Sequence, residues 1–374
     1  MPRAFLEVSP LFESHWTGIP VVAAGLVQCA LADPGLDWGF LYENVVIDPL
    51  VVTDMLRLRR GSQFFPHLEQ QLWNGDVLSP GQMAEAACIF TNLKALRRQF
   101  AREALVVHDI STLLTPEFHN TDTVRHHANR LRGDVASTDF FFCVSRATMM
   151  DLHSYFGVPL AAAAVIPVGM SVDPCMLTTL LIERAGMSCE PYVCVLGTVE
   201  PRKNGGIVLA FLRDNPNMLD KYRFVFIGRD GWNDEKRRML DELDRLGLPT
   251  SRIVFTGFVP EETKMRLVLS SRFCIYPSFF EGYGIPIAEA AALGKYVVCS
   301  NSSSMTEVAP EMCFFFDPTD LLAFADAFFK AELAADLTWL DRLGFADIAA
   351  RLEARDWRRA YDTIRSWVVE GTPA

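Results

Sequence analysis

Two short segments carry most of the chemistry in this sequence of 374 residues. The first runs Val195-Leu196-Gly197-Thr198-Val199-Glu200-Pro201-Arg202-Lys203-Asn204. A buried strand ends at a glycine, the chain turns, and two adjacent cations precede a predicted helix from about Gly206. Ligands of open α/β sheets bind outside the carboxyl ends of the strands, which is where Arg202 and Lys203 would lie. The pair suits a diphosphate, with the arginine fork gripping two oxygens and the lysine acting as a point charge. Standing alone, an Arg-Lys pair is more often a solvated basic turn.

The second segment runs Tyr276-Pro277-Ser278-Phe279-Phe280-Glu281-Gly282-Tyr283-Gly284-Ile285-Pro286-Ile287-Ala288-Glu289-Ala290. Here too a strand enters a glycine-bearing loop, and a helix follows with Pro286 in its first turn, where a missing N–H costs nothing. Gly282 and Gly284 let backbone approach a ligand, and the helix N-terminus offers N–H groups to phosphate. Glu289, about one turn into that helix, can reach back and accept two hydroxyl hydrogen bonds, as a ribose diol would supply. The G-x-G alone is weak, because Ile287 stands where the dinucleotide fingerprint needs its third glycine. A plain helix cap with a surface glutamate fits this segment equally well in isolation.

The elements that must position these residues form short apolar runs alternating with longer amphipathic stretches, the pattern of βαβ units on parallel sheets. Strands are predicted at residues 104–107, 140–144, 164–167, 192–196, 224–227, 252–256, 273–276, 296–299 and 314–316. Helices are predicted at 233–246, 261–270 and 286–293. Near the start, residues 4–8 read as a first strand, and Gly18 with Pro20 as a loop before an apolar helix at 21–32. Residues 43–99 give weak signals. An amphipathic helix with Trp357, Tyr361, Ile364 and Trp367 closes the chain, and a boundary falls near 169–174.

Half of the residues are hydrophobic, and the formal charge is −11. That charge argues against a broad nucleic-acid surface, which needs dense Lys and Arg, but it leaves room for a small anion site. The nine cysteines form no C-x-x-C pair. Cys143, Cys194, Cys274 and Cys299 sit in apolar runs and read as buried reduced thiols, which points to the cytoplasm. No secretory signal or membrane span is visible in the sequence. All seven histidines lie between residues 15 and 153 without metal-ligand spacing, so no metal site is expected. The apolar residues around 64–66 and 72–73 fit core better than a membrane face, although a peripheral membrane contact at the inner face stays open.

Taken together, GTVEPRKN and FEGYGIPIAEAAALGKYVVCSNSSSMTEVA resemble glycosyltransferase family 4, the retaining enzymes of GT-B fold. Glu281 and Glu289 match the family's E-x7-E. Phe226-Ile227-Gly228, Phe255-Thr256-Gly257-Phe258-Val259 and CVSRATMMDLHSYFGVP also fit its pattern, so the resemblance covers residues 105–320 well and the first hundred poorly. It implies an α/β GT-B fold of two Rossmann-like doubly wound domains facing across a cleft. The acceptor domain would span 1–170, with the helix at 355–374 packed back on it, and the donor domain 171–354.

The resemblance also implies roles. Arg202 and Lys203 would hold the donor diphosphate and stabilise its developing charge, Glu281 would meet the donor sugar hydroxyls, and Glu289 would hold the ribose. Gly197 and the backbone of Gly282, Tyr283, Gly284 and Ile285 would lie close to sugar and phosphate, and Phe258 and Val259 would line the base. Val107-His108-Asp109 matches the family's V-H-D and would put His108 beside the donor sugar. Gly18 matches its first glycine loop, although Pro20 departs from that pattern. Met305 and Thr306 depart from the usual Leu-Pro ahead of Glu307-Val308. The expected reaction is hexosyl transfer with retention from a nucleoside diphosphate sugar, GDP-mannose first and UDP-sugars next. The acceptor would be a glycan or lipid-linked glycan of polysaccharide biosynthesis, with no cofactor and no obligatory metal. The alternatives are a catalytically silent GT-B subunit that binds a nucleotide sugar, and a GT-B sugar-phosphate synthase or phosphorylase.

Overall fold

The computed structural model describes residues 3–170, 174–186, 190–337 and 345–371, so the boundary expected at 169–174 lies partly outside them. Seven strands form the first sheet: β1 (Arg3–Glu7), β2 (Asp37–Tyr42), β3 (Val45–Ile47), β4 (Ala87–Phe90), β5 (Arg102–Val107), β6 (Phe140–Cys143) and β7 (Ala163–Val165). Their order is β3-β2-β1-β4-β5-β6-β7, parallel throughout except for the antiparallel β2–β3 pair. Six strands form the second: β8 (Tyr192–Leu196), β9 (Arg223–Ile227), β10 (Ile253–Phe255), β11 (Cys274–Tyr276), β12 (Val297–Ser300) and β13 (Cys313–Phe316). This sheet is wholly parallel in the order β10-β9-β8-β11-β12-β13. Parallel strands need crossovers on both faces, which is why runs such as YVCVL and VVCS are apolar at nearly every position rather than at alternate ones.

The chain divides into two compact units, one of residues 1–110, 125–171 and 355–374, the other of 111–124 and 172–354. Residues 111–124, placed with the N-terminal half in the sequence reading, therefore cluster with the second unit. In the first unit the closing helix Arg358–Glu370 is fixed by polar and aromatic contacts. Tyr361 donates its hydroxyl to Asp33 (2.5 Å) and accepts from the indole of Trp38 (2.8 Å), and Arg365 joins Asp33 at 2.8 Å. Trp367 is buried against Phe140 and Phe142 of β6. The second unit is filled by aromatic side chains, with Phe211 packed on Phe324 and Phe328, and Phe328 in turn on Phe224 and Phe273.

Two sequence expectations change here. Gly18 is the first residue of the helix Gly18–Leu31 and not part of a preceding loop. Pro20 fits because the first turn leaves its N–H positions unpaired in any case. The stretch expected as core at 64–66 and 72–73 splits. Phe64 is buried and Phe65 packs on Phe12 and Tyr42, whereas Trp73 is 92% exposed. Cys143, Cys194, Cys274 and Cys299 are free and buried. Among the described residues no helix is long and apolar enough to cross a membrane.

Candidate donor site

The second sheet reverses its strand order between β8 and β11. At such a switch point the loops leaving the two strands diverge to opposite faces and open a crevice at their carboxyl ends. Both chemistry-bearing segments leave from it. After β8 the chain passes Gly197, forms the short turn Pro201–Lys203, and enters the helix Gly205–Asp214 through Asn204 in the left-handed region. A neighbouring glycine makes this turn feasible. A Cβ on Gly228, after β9, would fall 2.1 Å from the carbonyl oxygen of Gly197, so no other residue fits without moving that loop.

After β11 the loop ends at Gly284, whose φ of +105° belongs to the left-handed region. The helix Ile285–Ala292 then starts with Pro286 in its first turn. Three consecutive serines after β12 tie this loop down through its carbonyls. Ser302 donates to Phe279 (2.6 Å), Ser303 to Glu281 (2.6 Å), and Ser304 to both Glu281 and Tyr283 (2.9 Å each). In the sequence this serine run carries no signal of that role.

The two loops meet on Glu281. Its Oε1 accepts from Lys203 Nζ at 2.6 Å, and its Oε2 lies 3.0 Å from Arg202 Nη1. Arg202 also donates to the carbonyl of Phe280 (2.6 Å) and to Glu200 Oε1 (2.8 Å), and Lys203 to the Tyr276 hydroxyl (2.9 Å). Burial alone would raise the Glu281 carboxyl, but the charges of Arg202 and Lys203 overcome it and hold the group down at about 2. Glu281 is therefore a carboxylate at any physiological pH. Glu200 goes the other way, burial outweighing the pull of the same two cations. The Tyr276 phenol is pushed well up by burial and by Glu281. Two half-buried cations thus sit with carboxylates at the mouth of the switch point, with polar atoms that an anionic ligand can share.

Glu289 occupies a neighbouring position on the helix Ile285–Ala292 and is 9% exposed. Its Oε1 accepts from Lys264 Nζ (2.7 Å), which also pairs with Glu261 at 3.3 Å. Burial would lower the Lys264 ammonium, but Glu289 and Glu261 raise it. Lys264 lies on the helix Glu261–Ser270 and was not singled out from sequence, since a lysine on an amphipathic helix reads as surface. Phe258 is 51% exposed and Val259 half-buried in the loop after β10.

A family model described as "Glycosyl transferases group 1" matches residues 186–335, the stretch that builds this site. The chain is also 30% identical over 232 residues to the O-antigen chain mannosyltransferase B of Escherichia coli, covering 60% of each protein. Over residues 186–335 the chain is similar to the group 1 glycosyl transferases. It is 24% identical to the serotype-specific mannosyltransferase WbdA of E. coli over 249 residues, 62% of this chain and 30% of that one. The chain thus spans at most 60% of the length of these curated relatives.

Solved structures give the fold of this chain as GT-B. A sucrose-phosphate synthase from Thermosynechococcus elongatus superposes with a TM-score of 0.67 at 14% identity, covering 99% of both chains. The Anabaena HepE protein in complex with UDP and glucose gives 0.64 at 15% identity, covering 99% of this chain and all of that one.

In the first unit the switch point lies between β1 and β4. Thr91, just past β4, donates its hydroxyl to the carbonyl of Glu7 at the end of β1 (2.7 Å). The carbonyl of Thr91 meets His108 Nε2 at 2.8 Å, and since a carbonyl only accepts, Nε2 carries the proton. Burial lowers the His108 pKa despite Thr91 and Asp109, so the ring is neutral at pH 7. Gly18 is exposed, with nothing within 4 Å of where a Cβ would stand. Glu7 was missed by the sequence reading, although a lone glutamate closing an apolar run is a visible signal. It is 1% exposed and accepts from Ser9 N and Oγ, and burial raises its carboxyl to about 7.

Proposed function

We propose that this chain is a retaining glycosyltransferase that moves a hexosyl group, mannosyl from GDP-mannose in the first instance, onto a glycan or lipid-linked glycan during polysaccharide assembly. The observation that carries the proposal is the convergence of Arg202, Lys203 and Glu281 at the switch point of the second sheet. The mannosyltransferase names of the two E. coli relatives support the choice of sugar, and the UDP in the HepE structure makes uridine nucleotides the control.

In this reading Arg202 and Lys203 face the diphosphate, Glu281 keeps both cations in register and offers remaining lone pairs to the donor sugar, and Glu289 holds the ribose. The Gly197 and Gly282–Ile285 backbone lies along sugar and phosphate, with Phe258 and Val259 at the base. His108, neutral and with Nδ1 as its acceptor, and Gly18 keep the donor-sugar and phosphate roles that the resemblance implies. The bond between the anomeric carbon and the diphosphate oxygen breaks, and the acceptor oxygen bonds the same face of that carbon. The acceptor proton passes to the departing diphosphate. Charge that accumulates on the leaving group is met by fixed cations already in place, so no metal or cofactor is invoked.

Removing one such stabilising donor costs about 10²–10³ in kcat. Lys203→Ala is therefore expected to lose about that factor in transfer from GDP-mannose or the active UDP-sugar. Its melting temperature should stay near the parent's, because Glu281 retains Arg202 as counter-ion. Near-normal turnover in this variant would overturn the assignment.

A further inference from the structure

The turn Pro116–Phe118 and the following His119 lie in the segment that clusters with the second unit, and they touch the loop after β11 and the loop after β9. The ring of Phe118 stacks face to face on Phe279, centroids 4.6 Å apart and planes within 3°. The carbonyl of Phe118 accepts from the Trp232 indole at 2.8 Å, and the His119 ring stacks on Trp232 at 5.9 Å. Trp232 follows Gly231, whose N–H bonds the carbonyl of Val199, next to the Arg202 partner Glu200.

Phe279 sits at the point that matters most. Its N–H donates to the carbonyl of Arg202 (2.8 Å), its own carbonyl accepts from Ser302, and the next carbonyl, of Phe280, accepts the Arg202 guanidinium. Arg202 is thus held at its backbone by Phe279 and at its side chain by Phe280, and Phe118 covers the Phe279 ring. We propose that Phe118 is a positioning residue for the diphosphate end of the donor site, acting through Phe279 on Arg202. The inference rests on the proposed function and adds to it a residue outside the two donor-site segments.

The ribose end, Glu289 with Lys264, hangs on a separate pair of helices, so the effect should be confined to one part of the ligand. Aromatic pairs of this geometry add modestly to the area they bury, which sets the expected scale at about three- to tenfold. In the full-length protein, Phe118→Leu should weaken GDP or UDP binding by about that factor and lower kcat by a similar one. Affinity for GMP or UMP should stay at the parent's value, and Phe118→Tyr should restore the diphosphate. A Phe279→Leu change should add little on top of Phe118→Leu, because residues acting through one contact are not additive. A general loss of packing would move monophosphate and diphosphate together and leave the tyrosine variant unable to rescue. That result, or parent-like diphosphate affinity in Phe118→Leu, would overturn the positioning role alone. Failure of the parent protein to bind either diphosphate would instead remove the donor-site reading on which it stands.

Discussion

At the scale of single residues, the site is a division of labour between two buried glutamates. Glu281 has both oxygens committed to Arg202 and Lys203, whereas Glu289 shares one with Lys264. A carboxylate that accepts hydroxyl hydrogen bonds contributes more than a neutral acceptor does, about 1.5–3 kcal/mol. Glu289→Ala should therefore weaken nucleoside diphosphate binding by roughly 10- to 100-fold while leaving the diphosphate contacts in place. An unchanged Kd by calorimetry would remove Glu289 from the ribose position. Arg202, Lys203, Glu281 and Glu289 could be found from sequence because their spacing along the chain reflects two strand ends in one sheet. Lys264 and Ser302–Ser304 could not be assigned that way. Their partners lie 21–25 residues away, and contacts to backbone carbonyls leave no pattern in the partner's sequence.

At the scale of elements, the second sheet was legible because its buried parallel strands are continuous apolar runs. Strands β8, β9, β11, β12 and β13 fall within two residues of the expected bounds. Residues 37–47 were not legible, since β2 and β3 pair antiparallel and β2 is only half-buried, so neither shows the continuous apolar signature. In the first unit, β1 ends at Glu7, at the switch point beside Thr91. Burial raises the Glu7 carboxyl to about 7, against an ordinary value of 4.5. Between those two values the folded protein holds a proton that the unfolded chain has lost, so stability falls as pH rises from about 4.5 to 7. Glu7→Gln removes the charge and should flatten that slope, raising the melting temperature at pH 7.5 relative to the parent but not at pH 4.5. An equal slope in both proteins would show that Glu7 stays ionised in the fold.

At the scale of the molecule, the GT-B fold explains why the informative segments cluster so unevenly. The family match spans 186–335, where the proposed donor site needs fixed spacing, and the first hundred residues carry few shared motifs. The closing helix belongs to the first unit through Asp33, Trp38 and Phe140, all contacts across more than 200 residues of sequence. Its amphipathic pattern was readable, but the identity of its partners was not. The donor claim also has a whole-molecule readout, because a ligand that binds only the folded state raises apparent stability by mass action. The most direct measurement is the melting temperature of the parent and Lys203→Ala proteins with GDP, UDP, dTDP and the matching monophosphates. One diphosphate, GDP first, should raise the parent's melting temperature more than its monophosphate does, and Lys203→Ala should lose this extra shift. A parent protein that no diphosphate stabilises, or a variant that responds as the parent does, would contradict it.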